Sequence, residues 1–308
     1  MPDLPKPFYE EPGITIYHGD CREILPVVPG YQILNLGAGV QSTTVYLRYL
    51  RGEIEPQIDA AIFADTQEEP GAVYRHLEWL KSLGGPPIII RTAGKLGEHL
   101  MAGRNSTGGR FASIPAFTSA VEGECGGMLR RQCSKEYKAE VIERAIRRDI
   151  LGLKPRQRIP KGVVVTQIFG ISMDEAGRAA RIARRLSDRP WAKTRFPLLE
   201  GNQMTRSECI CELADKVPHE TPRSACVFCP FRSDAEWRRL RDTDPDAWNR
   251  AVAIDEALRV PGIVFNRGLK QKAYLHRTCV PLQRVSFLND RQMQFNNFNL
   301  ECEGMCGI

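Results

Sequence analysis

Apolar and polar positions follow two different periods along the first two-thirds of the chain. Residues 32–36 (QILNL) read as a buried strand, 37–39 as a turn and 42–50 as a helix. Residues 58–63 (IDAAIF) predict a second strand ending at Asp65. Val73, Leu77, Leu80 and Leu83, spaced four, three and three apart, predict a helix after it. PPIIIR at 86–91 predicts a third strand. Residues 94–128 are glycine-rich and carry no clear period, a length that in compact domains marks a functional loop. Tyr137, Val141, Ile142, Ala145 and Ile146 form one apolar face of a helix over 135–149. VVVTQIF at 163–169 predicts a long strand, and a basic helix follows from Asp174 to Leu186. No internal repeat or low-complexity tract interrupts this order.

Such alternation implies an α/β fold, a parallel sheet with helices on both faces and ligands at the carboxyl ends of the strands. After residue 200 the pattern changes to short helices and cysteines. Thr205/Glu208 and Ser233/Glu236 have the spacing of capping boxes, so a helix should start at each. The expected organisation is an N-terminal leader over 1–30, a nucleotide-binding domain over 31–200, and a small, cysteine-rich, mostly helical domain and tail over 201–308.

Composition narrows the class. The 308 residues are 42% hydrophobic and 26% charged, as in globular proteins rather than disordered or fibrous ones. The first residues are rich in proline and acidic side chains, unlike a signal segment. Apolar runs such as Ile88-Ile89-Ile90 and Val163-Val164-Val165 are too short to span a bilayer. The chain reads as soluble and cytoplasmic, with no membrane partner. Ten cysteines in a reducing compartment point to metal binding or thiol chemistry rather than disulfides. Charge is segregated within a total of +6: residues 129–161 carry +7 and residues 178–195 carry +6. Such segments attract nucleotide phosphate, sulfate or nucleic acid, or are solvated helix faces.

Three constellations carry chemistry. Gly37-Ala38-Gly39-Val40-Gln41-Ser42-Thr43 follows a strand and opens a helix, where small residues admit a phosphate to unpaired backbone N–H groups. It fits neither the Walker A pattern nor the dinucleotide fingerprint. Cys226-Val227-Phe228-Cys229-Pro230 has the C-x2-C spacing that lets two thiolates grip an iron–sulfur cluster or a zinc ion. Cys209 and Cys211 are candidate further ligands, but on a helix they lie about 200° apart, so at most one faces a site. Cys209, in the first turn after Thr205, is preferred; both could instead be small buried apolar residues. The third constellation is the tail, where glycines flank Cys302 and Cys306 and would let either swing into a pocket. Lys270, Lys272, His276 and Arg277 form a weaker basic cluster near Cys279.

These motifs fall in the order of a known family. The Gly37–Thr43 turn resembles the PP-loop, usually Ser-Gly-Gly-x-Asp-Ser, of the adenine nucleotide alpha-hydrolase superfamily (HUP-like α/β folds). Phe63-Ala64-Asp65-Thr66 with Pro70 and Tyr74, Arg131-Gln132-Cys133 with Lys138, and Gly170-Ile171-Ser172-Met173-Asp174-Glu175 with Arg178 resemble successive segments of phosphoadenosine phosphosulfate (PAPS) reductases. The resemblance covers residues 31–231. It implies that Gly37, Gly39, Gln41, Ser42, Thr43, Asp65, Thr66, Lys138 and Arg178 bind an adenine nucleotide: ATP, adenylyl sulfate (APS) or PAPS. Cys133 with the distant C-x2-C resembles the four-iron four-sulfur APS reductases. That implies a metal centre on Cys133, Cys226 and Cys229, with Cys209 as the fourth ligand and zinc as the alternative. Position 132 is Gln where that family has a second cysteine. The Cys302/Cys306 tail resembles the Glu-Cys-Gly tail whose cysteine attacks the substrate sulfur, with a thioredoxin-like thiol reductant as partner. Gln41 replaces the PP-loop aspartate, Gly37 its first serine, and Ser172 the arginine of the fourth motif. Ile14–Cys21 resembles the opening of some DNA methyltransferases, without a catalytic motif after it. Three functions compete: sulfonucleotide reduction, ATP-dependent thiolation of DNA or tRNA, and a non-catalytic nucleotide-binding subunit of a nucleic-acid modification system.

Overall fold

A computed structural model describes residues 9–11, 14–16, 30–104, 114–260 and 271–287. Strands β1 (Tyr9–Glu11) and β2 (Ile14–Ile16) pair antiparallel. The chain then runs β3 (Gly30–Asn35), α1 (Val40–Leu50), β4 (Ala60–Asp65), α2 (Gly71–Ser82), β5 (Ile88–Thr92) and α3 (Leu96–Ala102). Short strands β6 (Phe117–Ser119) and β7 (Gly127–Met128) precede α4 (Glu140–Ala145), which π-helical turns at Lys135–Ala139 and Ile146–Ile150 extend at both ends. Next come β8 (Val164–Phe169), α5 (Ala176–Ser187), β9 (Ala192–Arg195), α6 (Arg206–Leu213), α7 (Asp234–Thr243), α8 (Pro245–Ala257) and β10 (Lys272–Tyr274).

Five strands form one parallel sheet in the order β5-β4-β3-β8-β9. The period of two along each strand sends alternate residues to opposite faces. Leu34, Leu36, Ala61, Phe63 and Ile168 meet α1, α2 and α6 on one side. Ile33, Ala60, Ile62, Ala64 and Val165 meet Val141, Ile142, Ala145 and Ile146 of the 135–150 helix on the other. The α/β fold with helices on both faces is thus present. Helix α1 is buried almost all round, because α6 covers the side the sheet does not. Consequently α6, beyond the expected boundary near Glu200-Gly201, belongs to the packing of the sheet.

A second core joins Leu96, Leu100, Tyr137, Val227, Phe228, Trp237, Val252, Leu275 and Leu282. The segment expected to be irregular, 94–128, contributes α3 and two strands, β6 and β7, of a three-stranded antiparallel sheet of order β10-β6-β7. Leu83, placed by spacing on the apolar face of α2, caps that helix and is exposed. Both capping boxes form, at Thr205/Glu208 and Ser233/Glu236. Among the described residues no helix is long and apolar enough to cross a membrane.

Candidate functional site

The chain starts the sheet at β3, adds β4 and β5 on one side, and then returns to add β8 and β9 on the other. Order reverses between β3 and β8, and in open α/β sheets ligands bind in the crevice outside the strand ends at such a point. Two of the sequence motifs lie on its two lips. The Gly37–Gly39 turn leaves β3, with Ala38 in the left-handed region at φ 60°. Gly39 is extended at the start of α1, and no side chain caps that helix. From the other lip, 170–175 follows β8. Gln41 spans the two: its Nε2 donates to Ser172 Oγ (3.2 Å) and Glu175 Oε2 (3.1 Å), while its Oε1 accepts from Arg206 (3.3 Å). Glu175 also pairs with Arg178, both buried. The Gln41 amide thus supplies a donor that a carboxylate lacks, and it is used to join the lips.

Thr43, one turn into α1, is engaged from below. Its hydroxyl lies 2.9 Å from His76 Nε2, and His76 Nδ1 lies 2.8 Å from His219 Nε2. Burial, with His219 second, lowers the pKa of His76 to about 4, so the imidazole is neutral at pH 7. His219 lines an open cavity of about 520 Å³ with Val40, Arg206, Val217 and Thr221, beside the first residue of α1.

At the end of β4 the Asp65 carboxylate accepts from the Gln67 backbone (2.7 Å) and from Tyr74 (2.9 Å), which fixes the turn that follows. Burial, and then the Asp65 charge, raises the Tyr74 phenol well above its ordinary range. Thr66 Oγ1 is hydrogen-bonded to Cys226 Sγ at 3.1 Å. The backbone bond from Val227 to Glu68 (2.7 Å) and the Glu68–Arg250 pair tie this strand end to the second core.

Cys133, Cys226 and Cys229 line one pocket with Thr66, Arg131, Lys138, Phe228 and Pro230. The C-x2-C segment is a turn closed by Cys229 N–H donating to the Cys226 carbonyl (2.9 Å), and Arg232 donates to the carbonyls of Ala225 and Cys226. Lys138 forms a buried ion pair with Glu69 at 3.3 Å. Burial pushes the Cys226 thiol well above its ordinary pKa and Glu69 adds to this; Lys138 and the Thr66 bond oppose it. Among the described residues no three His, Cys, Asp or Glu side chains are grouped to hold a metal ion.

Cys209, the expected fourth ligand, does not line this pocket. It is fully buried in the sheet core with Leu34, Val45 and Leu213, while Cys211 is exposed on the opposite side of α6. The helical phase separated the two cysteines correctly, but the inward face of α6 packs on α1 and not on the C-x2-C turn. Cys302 and Cys306 lie outside the described residues, as do Cys21 and Lys270. His276 and Arg277 bind the two oxygens of Asp234 at the start of α7, so neither extends toward the crevice.

Sequence reasoning missed Glu69, His76, Arg206 and His219. His76 and His219 are 143 residues apart and Glu69 and Lys138 are 69 apart, so no local period marks either pair. No protein-family profile, no curated protein and no solved structure matches the chain.

Proposed function

We propose that the chain is an adenine-nucleotide-dependent enzyme of the PP-loop, PAPS-reductase-like type, acting in sulfur transfer or reduction. The supporting observation is the meeting of Gly37–Thr43 with Gly170–Arg178 at the crevice between β3 and β8, beside an open cavity of about 520 Å³. A nucleotide phosphate would lie against the N–H groups of the uncapped first turn of α1, where backbone dipoles favour an anion. Arg178 and Lys138, both buried, would orient the charged end. Their partners Glu175 and Glu69 hold those cations in place.

A metal centre fits part of this arrangement. Three thiols face one pocket with a lysine beside them, and buried thiolates need such positive charge. A single zinc would draw thiolate sulfurs to within about 3.8 Å of one another, from ligand distances of about 2.3 Å. An iron–sulfur cluster is the reading preferred for Cys133, Cys226 and Cys229, with zinc as the alternative. When bound, the cluster would fix the C-x2-C turn, with Lys138 as a counter-charge to its thiolates.

In the reaction, a tail thiolate, Cys302 or Cys306, attacks the sulfur of the sulfonucleotide. The sulfur–oxygen bond to phosphate breaks, adenosine phosphate leaves, and an S-sulfocysteine remains. An external thioredoxin-like dithiol then releases sulfite, restores the thiol and departs as a disulfide. The test is anaerobic purification, an absorption spectrum, and equilibrium binding of ATP, APS and PAPS to the parent and to Gly39→Leu. Nucleotide bound by the parent and not by the variant is the expected result. Equal affinity in both removes the turn from the site. Truncation after Leu300 should leave binding intact and abolish turnover; normal turnover would exclude the tail as nucleophile.

A further inference from the structure

The two basic segments, separate in sequence, are brought to one side of the sheet. The 135–150 helix packs against β4 and β5. Helix α5 packs on Phe169 and Ile171 together with Ala139, from the start of that same helix. An ion pair between Glu143 of α4 and Arg189 bridges the seam. Along one side run Arg144, Arg147 and Arg148, continued by the exposed Lys154, Arg156, Arg158 and Lys161; along the other run Arg181, Arg184 and Arg185. Residues 129–161 and 178–195 together carry +13 in a chain whose total is +6, leaving −7 on the remainder.

We infer that this face binds the phosphate backbone of duplex DNA, whatever reaction the nucleotide crevice performs. The cations are spread over two rows, a form suited to an extended polyanion, and two rows can meet the two phosphate strands beside a groove where a single strand would meet one. A lipid surface suits the face less well. Among the described residues, Met173 is the one exposed large apolar side chain between Arg144 and Arg189, so there is little to insert into a bilayer. The cations also crowd one another. Burial first, and Arg189 next, hold the Arg185 guanidinium below its ordinary pKa, while Glu143 and Glu140 oppose this. A polyanion would relieve that repulsion.

The experiment is fluorescence anisotropy of a labelled duplex DNA with the full chain, titrated at several salt concentrations. The parent should bind at low salt, with log K falling linearly against log salt. Replacing Arg144, Arg148, Arg181 and Arg184 by Gln should flatten that slope by about 3 to 4, at about 0.9 per phosphate contact. The control, Lys81→Glu with Lys216→Glu, makes the same change in net charge on the other side of the sheet and should keep the parental slope. Competition with single-stranded DNA, duplex RNA and phosphatidylserine vesicles should each displace the probe less well than duplex DNA. An equal slope change in the control, better competition by any of the three, or no binding at low salt would overturn the proposal. None of these readouts depends on nucleotide in the crevice, so a Gly39→Leu chain should bind DNA as the parent does.

Discussion

Gly170 lies so close to Gln41 that a side chain between them has no room. A Cβ built on Gly170 would stand 2.7 Å from the Gln41 carbonyl carbon and 2.7 Å from the Ser42 nitrogen. Both are backbone atoms of the first turn of α1, which cannot step aside as a flexible side chain can. The close approach brings Ser172 and Glu175 within reach of the Gln41 amide. Gly170→Ala should push the two lips apart, costing about 1–3 kcal/mol of stability as overpacking does and weakening nucleotide binding. Gly30→Ala, at the start of β3, has nothing within 4 Å and serves as the control, expected within about 0.5 kcal/mol of the parent. Urea unfolding and nucleotide titration check both. Parental behaviour of Gly170→Ala would mean that the crevice is wider than its lips suggest.

Four of the five sheet strands, β3, β4, β5 and β8, were legible because both faces of the sheet are covered, so each is a short apolar run between turn residues; β9, Ala192–Arg195, carries no such run. The 135–150 helix was legible because five of its apolar residues share one face, and all five are buried. What sequence could not give was the neighbour each face packs against. Cys209 and Cys211 were correctly set on opposite sides of α6, yet the buried side meets α1. Helix α3 escaped notice because it is seven residues long, with Leu96 and Leu100 as its apolar signal inside a glycine-rich stretch. The Thr43–His76–His219 chain is tertiary throughout.

The burial of His76, with His219 beside it, makes stability depend on pH. The unfolded polypeptide takes up a proton on histidine near pH 6.5, whereas native His76 does so only near 4. Its contribution is therefore fully present above pH 6.5, is lost as pH falls from 6.5 toward 4, and levels off below that. The loss at the low end is at most about 3.5 kcal/mol, at about 1.4 kcal/mol per pH unit. His76→Gln retains hydrogen-bonding groups but does not titrate. Unfolding by urea between pH 7.5 and 4.5 should show a shallower decline for the variant than for the parent. Parallel curves would mean that His76 takes up its proton at the ordinary pH in the native chain.

Cysteine reactivity separates the thiols by their surroundings. The thiolate is the reacting species, so labelling follows both exposure and pKa. Cys211 and Cys125 are exposed and should be alkylated first by iodoacetamide at pH 8. Cys279 is buried, and burial followed by its contact with Cys125 pushes its pKa up to about 12. At pH 8 such a thiol is ionised to about one part in ten thousand, and should remain unlabelled while Cys125 reacts. Cys209 should be equally slow because it is enclosed in the core under α1. Cys226 should also be slow, since burial and Glu69 disfavour its thiolate. Peptide mass spectrometry over time reads each site separately. Labelling of Cys226 as fast as Cys211 would mean that the pocket it shares with Cys133 and Cys229 is open to solvent. Ligation leaves a different mark from burial: both Cys133 and Cys229 are half-buried, so a bound metal would protect thiols that packing leaves accessible. Adding a chelator should then expose Cys133 and Cys229 together and leave Cys209 protected. If Cys133 and Cys229 label at one rate with and without chelator, the three-cysteine pocket holds no metal under those conditions.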